Sequence, residues 1–241
     1  MGATGFRMQM VNQSSEQVDV RRNLLAVRAE IDAAAAAVER EPNSVTIIAV
    51  SKTNPPERIL PALDAGHRIF GENRVQEAED KWPALKEAFP DARLHLIGPL
   101  QRNKVRRAVQ LCDVIESVDR PKLARSLANA MESEDRRPDV LIQVNTGDEP
   151  QKHGAALADV DSFIEECVET YGLPLKGLMC IPPADEEPSL HFALLREIAR
   201  RHNLPELSMG MTGDYPIAVR FGATMVRVGT AIFGPRPPLP G

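Results

Sequence analysis

From residue 46 onward the chain alternates between two kinds of segment. Short, near-continuously apolar runs appear at TIIAV (46–50), HRIFG (67–71), RLHLIG (93–98), DVIESV (113–118), DVLIQVN (139–145), LKGLMCI (175–181), ELSMG (206–210) and TMVRVG (224–229). Several are β-branched-rich rather than alternating, the pattern of parallel strands covered on both faces. Between them lie stretches with helical spacing, such as NRVQEAEDKWPALKEAF and SFIEECVETYG. Ahead of the first run, Val20, Leu24, Val27, Ile31 and Ala34 recur at helical intervals and predict a helix within residues 17–40. Eight strand candidates, each followed by a helix or a helical turn, predict a single (β/α)8 barrel, a fold of about 250 residues. A doubly wound open sheet of about six strands would leave two runs unexplained. With no composition break and no fixed repeat, the expected layout is a disordered extension (1–16), one barrel (17–235) and a disordered tail (236–241).

Composition narrows the function classes. The 241 residues are 43% hydrophobic and 26% charged, ordinary for one large globular domain. A formal net charge of -5 argues against a nucleic-acid or membrane-surface protein. No apolar run approaches the roughly 20 residues of a membrane span, and the N-terminal stretch lacks the layout of a signal peptide. Cys112, Cys167 and Cys180 are odd in number and not spaced for metal, which predicts reduced thiols in a cytoplasm. The histidines other than His95 lack metal-ligand neighbours, and His95, inside a strand, reads as a hydrogen-bonded core residue.

The chemistry concentrates where the strands end. In a barrel of this kind functional groups sit in the loops after the strands, with phosphate commonly held after strands 7 and 8. Lys52 follows the first strand, and GENRVQE and GPLQRNK follow the second and third. SMGMTGD follows the seventh and RVGTAIFG the eighth, both rich in glycine and hydroxyl residues. Glycine lets backbone N–H groups approach an oxyanion closely. Singly, each feature has a bland reading: a solvated lysine, turn glycines, a basic helix face in QRNKVRR. Arg227 is harder to dismiss, because it lies inside an apolar strand and a buried guanidinium needs a partner. Lysine, phosphate-type loops and arginine together match pyridoxal 5'-phosphate, which needs an amine for a Schiff base, a phosphate cradle and a group facing its ring nitrogen.

The motifs AVSKT, FGEN-VQE, HLIGPLQ-NK, SVDR, LIQVN, GLMCIP, LSMGMTGD and TMVRVGTAIFG, in this order over about residues 20–235, resemble the YggS/PROSC family of pyridoxal phosphate homeostasis proteins. The resemblance implies a fold-type III barrel similar to the N-terminal domain of alanine racemase. It implies Lys52 as the Schiff-base lysine and Asn73 beside the cofactor ring. It further implies Ser208, Gly229 and Thr230 as phosphate-binding groups and Arg227 opposite the ring nitrogen, with Met209, Gly210 and Met211 lining the same pocket. Arg74, Arg102 and Glu116 stand where tyrosine, serine and histidine are frequent, and are expected to alter the rim of the mouth.

Two function classes follow from this resemblance. The first is a non-catalytic carrier that holds pyridoxal phosphate for vitamin B6 and amino-acid homeostasis, with apo enzymes as candidate recipients. It is expected to be a cytoplasmic monomer without nucleic-acid or membrane partners. The second is an amino-acid racemase, which needs acid–base groups on both faces of the substrate. Racemases of this type resemble the barrel plus a C-terminal β-domain that supplies a tyrosine, and the sequence stops shortly after the strand-8 motif. Of the two tyrosines, Tyr171 closes a helix and Tyr215 is expected to pack at a helix start. The carrier is the expectation.

Overall fold

The computed structural model describes residues 18–149 and 153–235, so the expected extension (1–16) and tail (236–241) lie outside the described residues. Eight parallel strands close into a barrel in sequence order. They are β1 (Thr46–Val50), β2 (Ile69–Glu72), β3 (Arg93–Leu96), β4 (Val114–Val118), β5 (Asp139–Val144), β6 (Leu175–Cys180), β7 (Glu206–Met211) and β8 (Met225–Val228). β8 returns to β1 in register, with Ile48 opposite Arg227. All eight apolar runs of the sequence are strands, with ends trimmed or shifted by one or two residues. One shift matters: β2 extends through Glu72, so a carboxylate lies inside the sheet.

Helices α2 (Pro56–Asp64), α3 (Val75–Ala88), α4 (Val105–Leu111), α5 (Pro121–Ser133), α6 (Val160–Glu165), α7 (Pro188–Arg201), α8 (Tyr215–Arg220) and α9 (Thr230–Phe233) follow their strands in turn. Proline opens α2, α5 and α7, where its missing N–H is not needed and its fixed φ suits the first turn. The predicted leading helix is α1 (Val20–Ala36), capped by the Asp19 side chain, which accepts from Arg22 N–H at 2.9 Å. Its buried stripe of Val20, Leu24, Val27, Ile31 and Ala34 packs across α8 and α9. The main core lies between strands and helices, with Phe70, Trp82, Phe192 and Phe233 among its largest fully buried side chains.

Inside the barrel every second residue of a strand points inward. Ile48, Val114, Leu141, Met179 and Met225 form an apolar floor. Two residues further along β4, β5 and β8 come Glu116, Gln143 and Arg227, joined by His95 and Ser208, all buried. The same step carries β1 from Ile48 through Val50 to Lys52, and β2 from Ile69 through Gly71 to Asn73. The strand period therefore delivers a polar layer above the floor and functional side chains at the mouth. β7 departs from this rule, since its register against β8 shifts between Ser208 and Met211. Gly210 sits in that bulge with φ of +91°, and a Cβ there would lie 2.5 Å from Ala218 Cβ, so only glycine fits.

Candidate functional site at the barrel mouth

A cavity of about 310 Å³ opens at the C-terminal ends of the strands, within the size range of small-molecule sites. Lys52, Asn73, Arg227, Gly229 and Thr230, five of the six residues singled out in the sequence, lie on its wall. Val50, Ile97 and Ile181 give the wall apolar faces, and Gln143 adds an amide. Among the described residues, Lys52 and Arg227 and no carboxylate line this cavity, in a chain of net charge -5. Such a wall suits an anion.

The sixth residue, Ser208, takes a different place. It is fully buried, and its hydroxyl accepts from Arg227 Nη1 at 2.8 Å while donating to Glu116 Oε2 at 2.5 Å. From the end of β7 and the loop after it, the residues that line the cavity are Met211, Thr212 and Gly213. Of the pocket-lining triplet expected from the resemblance, only Met211 lies on the wall, Met209 being fully buried in the core. Ser208 lies one layer down: its strand partners are Met179 on β6 and Met225 on β8, both in the apolar floor, whereas Met211, past the Gly210 bulge, is level with Arg227. Thr212 and Gly213 belong to the glycine- and hydroxyl-rich loop visible in the sequence. Among the described residues the backbone N–H groups of Thr212, Gly213 and Gly229 donate no hydrogen bond.

Arg227 is held from behind. Its Nη2 donates to Cys180 O at 2.8 Å and its Nη1 to Ser208, so the buried guanidinium finds its partners. Glu116 then accepts from Ser208 and pairs with His95 Nδ1 at 2.7 Å. A chain of four side chains thus runs from β3 to β8 through the barrel interior. Burial pushes the Glu116 carboxyl upward. The hydrogen bond and charge of His95, the charge of Arg227 and the Ser208 hydroxyl outweigh burial and hold it below the usual range. Glu116 was expected at the rim of the mouth; it lies wholly inside, because its position in β4 is an inward-facing one. Arg74 and Arg102 are exposed at the rim, where Arg74 lines a neighbouring groove that also contains Lys104.

The turn bearing Lys52 is fixed from below. Ser51 N–H donates to Gly71 O at 3.0 Å, and Ser51 Oγ to Glu72 Oε1 at 2.7 Å. Asn73 sits against Gly98, where a Cβ would come within 2.3 Å of Asn73 O; glycine alone allows that approach. The two tyrosines are committed elsewhere. Tyr171 donates to Glu166 at 2.6 Å, and Tyr215, buried at the start of α8, donates to Glu30. Neither lines the cavity. Among the described residues no helix is long and apolar enough to cross a membrane.

A closed parallel barrel whose mouth presents a lysine, an arginine and two adjacent glycine-rich loops defines an alanine racemase-like barrel protein. The family described as "Alanine racemase, N-terminal domain" matches residues 23–237. Within it the chain belongs to the pyridoxal phosphate homeostasis protein family. It is 40% identical over 227 residues to the pyridoxal phosphate homeostasis protein of Escherichia coli, covering 90% of this chain and 97% of that one. The structure of PipY from Synechococcus elongatus, with pyridoxal phosphate bound, matches with a TM-score of 0.78 at 37% identity, over 89% of this chain and 100% of that one. An alanine racemase from Clostridium difficile matches with a TM-score of 0.69 at 14% identity, over 92% of this chain and 57% of that one. At that identity the likeness is one of fold alone.

Proposed function

We propose that the chain is a carrier of pyridoxal 5'-phosphate that acts in vitamin B6 homeostasis without turning over a substrate. The observation that carries this reading is one wall holding Lys52, Arg227 and the Thr212–Gly213 and Gly229–Thr230 loops. That donor set fits the cofactor: an amine for its aldehyde, a permanent cation for its ring nitrogen, and hydroxyls with unspent amides for its phosphate. When bound, pyridoxal phosphate supplies an electrophilic carbon and an electron-withdrawing ring. Lys52 provides the amine that holds the cofactor covalently. Arg227, kept in place by Ser208 and Cys180 O, opposes protonation of the ring nitrogen and so weakens electron withdrawal. Gly229 and Thr230, with Thr212 and Gly213 on the adjacent loop, would hold the phosphate. Asn73, on the same wall, would lie beside the ring.

The carrier reading also draws on the relatives, which bear the name homeostasis protein. A racemase of this fold needs an acid–base group facing the lysine, and both tyrosines are engaged away from the cavity. Cytoplasmic location and a monomeric state accompany the reading, with apo enzymes as recipients. The test is to load the protein with pyridoxal phosphate, reduce with borohydride and map the labelled peptide. Label on Lys52, and loss of the visible absorbance band in Lys52→Ala, are expected; label on another lysine sinks the assignment. The loaded protein is then incubated with L-amino acids and assayed for D-isomers beside a working racemase, and appreciable turnover would refute the carrier.

A further inference from the structure

The turn that carries Lys52 holds an unusual backbone conformation. Thr53, the next residue, has φ of 63°. For a β-branched residue the left-handed region is strained and persists only where the surroundings impose it. Here the surroundings are a buried cluster on β2 and α3. Thr53 N–H donates to Glu77. Lys81 is nearly buried, with its ammonium 3.1 Å from Ser51 O and 3.2 Å from Asn54 O, one carbonyl on each side of the Lys52–Thr53 step. The same ammonium lies 2.9 Å from Glu77 Oε1 and 2.7 Å from Glu72 Oε1. Glu72 Oε1 also accepts from Ser51 Oγ at 2.7 Å and from Trp82 Nε1 at 3.2 Å.

As a device for stability alone this cluster is poorly built. Glu72 is fully buried, and its Oε2 has no hydrogen-bond partner among the described residues. Burial raises its carboxyl above the usual range despite the charge of Lys81. Apolar side chains of similar volume commonly replace such pairs without loss. What apolar side chains cannot do is grip two carbonyls of one turn from below, as an ammonium with three donors does.

We propose that Lys81, seated on Glu72 and Glu77, is the positioning residue for Lys52: it clamps the strained Ser51–Asn54 turn so that Lys52 is presented to the cavity. The inference rests on the reading of Lys52 as the residue that holds pyridoxal phosphate. Lys81 lines no part of the cavity and acts through the turn. A ligand that does not react with Lys52 should therefore not sense its loss.

The experiment compares two ligands on two variants. Pyridoxal 5'-phosphate engages both the phosphate loops and Lys52, whereas pyridoxine 5'-phosphate lacks the aldehyde. In Lys81→Met, affinity for pyridoxal phosphate is expected to fall about tenfold or more, a misplacement effect of the usual size, while that for pyridoxine phosphate stays within about twofold. The borohydride-trapped fraction per bound cofactor on Lys52 falls with it. Because Lys81→Met leaves Glu72 buried without its cation, the double variant Glu72→Gln/Lys81→Met removes both charges and keeps the comparison available if the single variant fails to fold. It should show the same selective loss. Equal weakening of both ligands, or wild-type trapping in a folded variant, overturns the clamp. If the unaltered protein binds no pyridoxal phosphate at Lys52, the cofactor reading falls and the clamp falls with it.

Discussion

Replacing Glu116 by glutamine tests whether the buried chain behind Arg227 is held by charge or only by shape. The side chain keeps its volume, and an amide can still accept one hydrogen bond and donate another. What disappears is the negative charge between His95 at 2.7 Å and Ser208 at 2.5 Å, one hydroxyl removed from the Arg227 guanidinium. Arg227 is only 4% exposed, so solvent cannot make up the difference. Removing one partner of a buried ion pair costs about 3–5 kcal/mol; the retained hydrogen bonds argue for the lower end, about 3 kcal/mol. For a domain of this size that corresponds to a fall in Tm of about 6–12 °C. The pH dependence gives a second reading. The folded Glu116 carboxyl lies below its ordinary value of 4.5, so its stabilisation is present above pH 4.5 and is lost as pH falls through the depressed folded value. The Tm gap between wild type and Glu116→Gln is therefore widest near neutrality and narrows in acid. Thermal unfolding followed by intrinsic fluorescence across pH 3.5–7 measures both quantities. A gap under about 2 °C at pH 7, or one that stays constant into acid, would show that shape alone holds the chain.

Two further outcomes follow from packing. Gly98→Ala places a Cβ against the Asn73 backbone at 2.3 Å, so the loop after β2 must move. Cofactor affinity measured by absorbance titration should drop about tenfold or more, and unchanged binding would show that Asn73 does not depend on this approach. Cys112, Cys167 and Cys180 are buried, and burial pushes each thiol up to about 12. Ellman's reagent should find no fast-reacting thiol in the native protein and three after denaturation; prompt reaction of any one in native buffer refutes its burial.

Much of the fold could be read along the chain because parallel strands covered on both faces must be apolar at nearly every position. Eight such runs with helical stretches between them admit few architectures. Strand ends were blurred by a residue or two, since no local signal says where the ladder stops, and so the presence of Glu72 inside β2 was not legible. That Lys52, Asn73, Arg227, Gly229 and Thr230 line the barrel mouth was legible because barrel sites sit at strand ends and an inward-facing residue recurs every second position. The resemblance to a known family then gave those positions their chemistry.

What only the tertiary structure decided is which side chains meet. Ser208 and Thr212 are four residues apart in one loop motif, and both carry hydroxyls suited to phosphate. The first is level with the floor residues Met179 and Met225 and buried behind Arg227, whereas the second follows the Gly210 bulge and lines the cavity. Glu116 and His95 lie on different strands, and Lys81 reaches from α3 to the turn after β1. Their pairings exist only once the barrel has closed, because partners 20 to 90 residues apart are set by strand register and helix packing, which local spacing does not encode. By itself the sequence determined the strand-end lysine, the arginine and the loops; closure determined what holds them in place.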